Sequence, residues 1–128
     1  ELLEECNRLA PKMPRSYLSQ LPGSLDDPYD KPSEEISPDF SSFNGSIPKA
    51  IEAAGGHLWC PYFKDLTADL VAEAHNLGLP VCTWTVNEVE DIENMIDIGV
   101  DGIITDYTDR AKNIFKSRGL QWQWLGER

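Results

Sequence analysis

Basic residues are scarce in this chain: 11 Lys and Arg stand against 22 Asp and Glu in 128 residues, a formal net charge of -11. Proteins hold a phosphate backbone through clustered cations, so nucleic acid is excluded as a partner, and an anionic lipid surface fits no better. No apolar run approaches the roughly 20 residues of a membrane-spanning helix, and residues 1–7 carry neither the basic nor the apolar segment of a secretory leader. The cysteines are few and odd in number, Cys6, Cys60 and Cys82, with no Cys-x-x-Cys and no Cys/His cluster. Neither zinc nor a disulfide framework is expected from them. Cys60 and Cys82 fall in strand-like segments, where a buried, unreactive thiol is the plain reading, and a reducing, cytoplasmic location follows as an expectation. The glycine-rich phosphate loops of nucleotide-binding folds are missing too, which weakens an open-sheet reading.

What is present is most telling in residues 81–107, VCTWTVNEVEDIENMIDIGVDGIITDY. Residues 81–86 follow Pro80, are β-branched, aromatic or small, and carry no charge, as in a strand covered on both faces. Asn87 with Glu90 three residues on has the spacing of a capping box, so a helix is expected to start at Asn87. Val89, Ile92, Met95 and Ile96 recur at helical spacing, and Gly99 supplies a left-handed stop. Val100, Gly102, Ile103, Ile104 and Thr105 then form a second apolar strand, parallel to the first.

Upstream, residues 2–10 have a helical apolar pattern that Pro11 and Pro14 end, and residues 16–19 form a short candidate strand. Residues 22–48 are rich in Pro, Ser and Asp and read as a loop, whose acidic residues are too irregularly spaced for a metal site. A short helix is expected over 48–54 with Ser46 as its cap and Gly55-Gly56 as its stop, then a strand over 57–61. A further helix starts at about Thr67 and ends at Gly78, and residues 109–117 form the last, closed by Gly119. Four strands alternating with helices indicate an α/β architecture, and a period of twenty to thirty residues suits a (β/α) barrel as well as an open sheet.

Trp84-Thr85-Val86-Asn87, followed by Gly99-Val100-Asp101-Gly102-Ile103-Ile104-Thr105-Asp106-Tyr107, resembles the end of a glycerophosphodiester phosphodiesterase. The resemblance extends back through Ala74-His75-Asn76-Leu77-Gly78-Leu79, Asp65-Leu66-Thr67, Trp59-Cys60-Pro61, Tyr17-Leu18-Ser19 and Leu9-Ala10-Pro11. It implies the C-terminal half of a TIM (β/α)8 barrel, about strands five to eight with their helices. Residues 1–128 would then be a partial domain carrying an acidic loop at about 22–48. It also implies hydrolysis of a glycerophosphodiester to an alcohol and glycerol 3-phosphate, in glycerol and lipid metabolism, with a divalent metal, Mg or Ca. The family's His-Arg-Gly motif and Glu-x-Asp metal ligands belong to earlier strands and are not in this sequence. No catalytic residue or metal ligand is therefore expected on this chain, which alone should be inactive.

The candidate substrate-binding residues are Trp84, Asn87, Trp59 and Tyr62. The resemblance places Trp84 beside the substrate, where an indole can pack on glycerol carbons; the competing reading is a core tryptophan. Asn87 either caps its helix alone or helps to hold an anion there. Trp59 and Tyr62 could line the pocket, with packing an equal role for Trp59. Thr105 and Asp106 end the last strand at the same mouth, Asp106 as a cap or backbone partner rather than a metal ligand. His75, near a helix C-terminus, reads as structural, and His57 has no evident partner. Trp122 and Trp124 either pack on the barrel's outside or form an exposed patch. Two readings compete with the phosphodiesterase fragment: a non-catalytic half-barrel that pairs with a copy of itself or a partner through its open face, and another phosphate-binding barrel.

Overall fold

The structure, a computed structural model, describes residues 2–21 and 43–121. Most of the acidic stretch, and Trp122 and Trp124, lie outside the described residues. In chain order the elements are α1 (Leu2–Leu9), β1 (Ser16–Ser19), α2 (Ile47–Ala53), β2 (Leu58–Pro61), a 3-10 turn (Phe63–Asp65), α3 (Ala68–Asn76), β3 (Cys82–Thr83), α4 (Val89–Asp97), β4 (Gly102–Ile103) and α5 (Thr108–Ser117). The expected alternation of strand and helix is present.

Local chemistry explains most boundaries. Ser46 Oγ accepts from the Lys49 amide at 3.3 Å and Pro48 occupies the first turn, so α2 starts where its cap and proline place it. Thr67 Oγ1 does the same for the Leu70 amide at the head of α3. The helix-ending glycines, Gly55, Gly78, Gly99 and Gly119, all have positive φ. One expectation fails here: α4 has Glu88, not Asn87, at its N-cap, and no side chain caps it. Asn87 is held by a longer-range set of bonds described below.

Among the described residues all pairings are parallel, and each strand lies beside the next in sequence. Ser16 to Ser19 pair with Leu58 to Pro61, and Cys82 and Thr83 with Gly102 and Ile103. The middle pair, β2 and β3, meets only at two isolated bridges, Trp59 with Val81 and Tyr62 with Trp84. Proline accounts for the gap. The Trp59 amide donates to the Pro80 carbonyl and the Phe63 amide to the Trp84 carbonyl. Alternation assigns the rung between them to residue 61, and Pro61 has no N–H to give. Its carbonyl still accepts, from both the Trp84 amide and the Thr83 hydroxyl. The strand expected over residues 81–86 is thus regular only at Cys82–Thr83.

The strands have two unlike faces. On one, Trp59, Val81 and Val86 join Ile51, Leu66, Val71, Ala74, Leu79, Ile92, Met95, Ala111 and Ile114 in a single core between strands and helices. Arg15 ties this layer at its edge, donating to the carbonyls of Met13 and Gly55 and so joining the start of β1 to the end of α2. The other face carries Leu18, Cys60, Cys82 and Ile104, the register partners and alternates across the four strands. Gly102 lets β4 come close there, since a Cβ on it would sit 2.9 Å from Cys82 Sγ. Leu18 is 68% exposed and Ile104 46%. At this second face Leu18 and Ile104 thus remain open to solvent, whereas Cys60 between them is buried, at 4% exposed.

Candidate functional site

In parallel β/α folds the loops that follow the strands meet at one end, and these loops carry chemistry. Here that end is formed by Tyr62 and Phe63 after β2, by residues 84–88 after β3, and by residues 104–107 after β4. Trp84 and Tyr62 are bridge partners there, with ring centroids 5.4 Å apart at 49°, and Tyr62 meets Phe63 edge-on at 5.1 Å. The Trp84 indole is fixed by its N–H, which donates to the Cys60 carbonyl at 2.7 Å. Both rings are half-buried, so a flat apolar wall remains reachable at the strand ends.

Asn87 joins the last two loops. Its Nδ2 donates to Asp106 Oδ2 at 2.9 Å, and its Oδ1 accepts both the Asp106 amide at 3.0 Å and the Thr105 hydroxyl at 3.1 Å. Thr105 Oγ1 in turn accepts the Tyr107 amide at 3.1 Å. The capping box expected of Asn87 and Glu90 does not form because a cap uses only the amide oxygen, whereas the β4 end engages oxygen and nitrogen together. Asp106 is accordingly a partner of a neighbouring side chain, and its own backbone closes the same ring.

Arg110 is the residue that sequence reasoning missed. It donates to the Asn87 carbonyl, lies with its guanidinium 4.4 Å from the centre of the Tyr107 ring, and has a Glu88 carboxylate oxygen at 3.7 Å. A signal existed: an arginine in the first turn opposes the helix dipole, so a local partner was to be looked for.

The other candidates lie elsewhere. Trp59 is 2% exposed in the helix-facing core, with its indole N–H on Ser19 Oγ at 2.8 Å, where it borders a cavity of about 180 Å³ rather than Trp84. His57 does have a partner, since its Nδ1 accepts the Arg15 amide at 3.3 Å. His75 Nε2 lies 2.7 Å from Asp101 Oδ2, which also accepts the Val81 amide at 2.8 Å. That pair sits before β3 and β4, at the end of the strands away from Trp84, beside a shallow depression of about 260 Å³. On the inner face, burial, with Cys82 next to it, pushes the Cys60 thiol up to about 11, and burial raises Cys82 as well. Both thiols are free.

A divalent metal does not fit these side chains. Among the described residues no three His, Cys, Asp or Glu groups converge to hold one, and Asp106 faces an amide rather than a second carboxylate. Among them, too, no helix is long and apolar enough to cross a membrane.

Comparison with known proteins places this geometry. A glycerophosphodiester phosphodiesterase of Bacillus altitudinis is 40% identical over 68 residues, 52% of this chain and 26% of that protein. One from Caldanaerobacter subterraneus is 37% identical over 59 residues, 46% of this chain and 24% of that protein. The chain thus matches about a quarter of the length of these relatives. A crystal structure from Silicibacter pomeroyi, assigned as a glycerophosphoryl diester phosphodiesterase, is 53% identical, with a TM-score of 0.76 over 95% of this chain and 37% of that one. An Oleispira antarctica phosphodiesterase in complex with the product sn-glycerol-3-phosphate shares the fold alone, at 14% identity and a TM-score of 0.64 over 89% of this chain and 38% of its own. These neighbours are TIM-barrel enzymes. Residues 1–110 match the glycerophosphoryl diester phosphodiesterase family as a whole, and the chain belongs to that family.

Proposed function

We propose that the chain is the C-terminal part of a phosphodiesterase that hydrolyses glycerophosphodiesters to an alcohol and glycerol 3-phosphate. In this reading it supplies strands five to eight of a closed (β/α)8 barrel and one wall of the substrate pocket. The observation that carries it is the inner face, where Leu18 and Ile104 leave apolar surface in solvent on either side of the buried Cys60, with the Trp84 and Tyr62 rings at its mouth. A barrel interior is filled with side chains, so this face is built to be covered by the remaining strands. The rings would pack on the carbons of the glycerol moiety, as an apolar wall beside a polar phosphate.

Alone, the chain is inactive in this reading. Its sequence has no His-Arg-Gly or Glu-x-Asp, and the ligands for Mg or Ca belong to residues outside it. When bound there, the ion stabilises charge on phosphoryl oxygens. The family match removes the alternative of another phosphate-binding barrel. The same open face supports a second reading, a half-barrel that associates with a copy of itself. Light scattering separates the two, because a monodisperse, well-folded monomer counts against self-pairing.

Hydrolysis of glycerophosphocholine with Mg or Ca tests the first reading. It is measured for the 128-residue chain and for a hybrid in which this chain follows the N-terminal part of the Silicibacter pomeroyi relative in one polypeptide. The expected result is no turnover by the chain and turnover by the hybrid. Turnover by the chain alone that is lost in Trp84→Ala would mean a complete site lies within it. A folded but inactive hybrid would mean that it is not a competent part of such an enzyme.

A further inference from the structure

We propose that Asn87 is a positioning residue: its side chain fixes residues 104–107 against the end of β3, and so sets the relative placement of the two loops that flank the phosphate position. The inference rests on the phosphodiesterase reading above. Three side-chain hydrogen bonds of 2.9 to 3.1 Å run from Asn87 to Thr105 and Asp106, and both lone pairs of Oδ1 are used by them. A substrate hydroxyl therefore has no acceptor left on that oxygen. The backbone reinforces the same junction, since the Val86 amide donates to the Ile104 carbonyl and Arg110 reaches back to the Asn87 carbonyl.

The junction lies where placement matters. Barrel enzymes often hold phosphate with the loops after their last two strands, and β3 and β4 take those places in this chain. Neither α4 nor α5, the helices that follow, has a side chain capping its first turn. Their early N–H groups are then directed by the loops alone, and Asn87 is the residue that ties one loop to the other.

An exchange of partners tests this. Asn87→Ala removes all three bonds, and Asn87→Asp sets a carboxylate against that of Asp106. Combining Asn87→Asp with Asp106→Asn restores one amide and one carboxylate across the same gap. On the 128-residue chain, hydrogen exchange of the Asp106 and Tyr107 amides should quicken about tenfold or more in both single variants and return toward the original rate in the pair. In the hybrid enzyme, KM for glycerophosphocholine should rise about tenfold with kcat changed less than about threefold, and the pair should recover it. Unchanged exchange in Asn87→Ala would overturn the proposal. So would a KM defect that the pair fails to recover while Asp106→Asn alone is harmless, because Asn87 would then touch the substrate directly. Should the hybrid show no turnover at all, the activity reading fails, and the exchange rates decide the clamp by themselves.

Discussion

Replacing Leu18 with glutamate separates the two environments that the inner face is argued to have. Leu18 lies mid-strand in β1, whose described pairing is with β2 on one side, and its side chain is 68% exposed. In the isolated chain the new carboxylate stays in water, so unfolding free energy should change by no more than about 0.5 kcal/mol. In a closed barrel the same position is interior. Covering the leucine there contributes about 1–2 kcal/mol. Desolvating a carboxylate in its place adds several kcal/mol against closure, so Leu18→Glu should weaken assembly by about 4 kcal/mol or more. That is about a thousandfold in a dissociation constant. The assay supplies this chain and the N-terminal part of the Silicibacter pomeroyi relative as separate polypeptides and titrates one against the other, reading glycerophosphocholine hydrolysis. Urea unfolding of the chain alone runs beside it. A large loss of stability in the isolated variant would show that the face is already covered. Undiminished complementation would show that it is not the face the missing strands occupy. Either result refutes the barrel argument.

Trp84→Ala in the hybrid should raise KM for glycerophosphocholine more than it lowers kcat, whereas Trp84→Phe, which keeps a ring against Tyr62 and loses only the bond to the Cys60 carbonyl, should lower stability by about 1 kcal/mol with a smaller KM effect. Ile92→Ala, at a fully buried position of α4, should destabilise the fold by about 2–5 kcal/mol in urea unfolding through the cavity it leaves. The Cys60 thiol is raised from its ordinary 9.0 to about 11, so alkylation by iodoacetamide at pH 8 should be slow and quicken toward pH 11. The unfolded chain releases that proton first, so stability should fall as pH rises from 9 to 11, and Cys60→Ala should lose less over this range than the original chain.

The legible part of the fold is that governed by neighbours in sequence. Ser46 before Pro48, and Thr67 before Asp69, mark helix starts that lie within a residue of those observed, because a cap and its amide are three residues apart and need no tertiary information. Strand β1 was legible for the same reason. The strand over residues 81–86 was less so, although its composition is that of a buried strand. How much of it forms a ladder depends on which residues its partner presents, and Pro61, twenty residues earlier, withdraws the middle rung. Composition shows that a segment will be a strand; only the pairing shows how long it stays one.

Asn87 carries the same lesson into the site. Read locally, an Asn with Glu90 three residues on is a capping box, and nothing within those four residues argues otherwise. The competing partners, Thr105 and Asp106, are eighteen and nineteen residues away and reach Asn87 only because β3 and β4 are adjacent and parallel. Once that adjacency exists, the Asn amide can satisfy an amide, a hydroxyl and a carboxylate at once, where the cap would satisfy a single N–H, so the longer-range arrangement wins. The two stretches, Trp84 to Asn87 and Gly99 to Tyr107, are therefore joined as one unit. Asn87 makes all three side-chain bonds of the clamp and the Asp106 side chain takes part in one, so changing Asp106 should disturb the junction in the same direction as changing Asn87 but less. A substrate-binding asparagine would show no such coupling to Asp106, which is why the paired exchange of Asn87 and Asp106 distinguishes a residue that holds the site from one that holds the ligand.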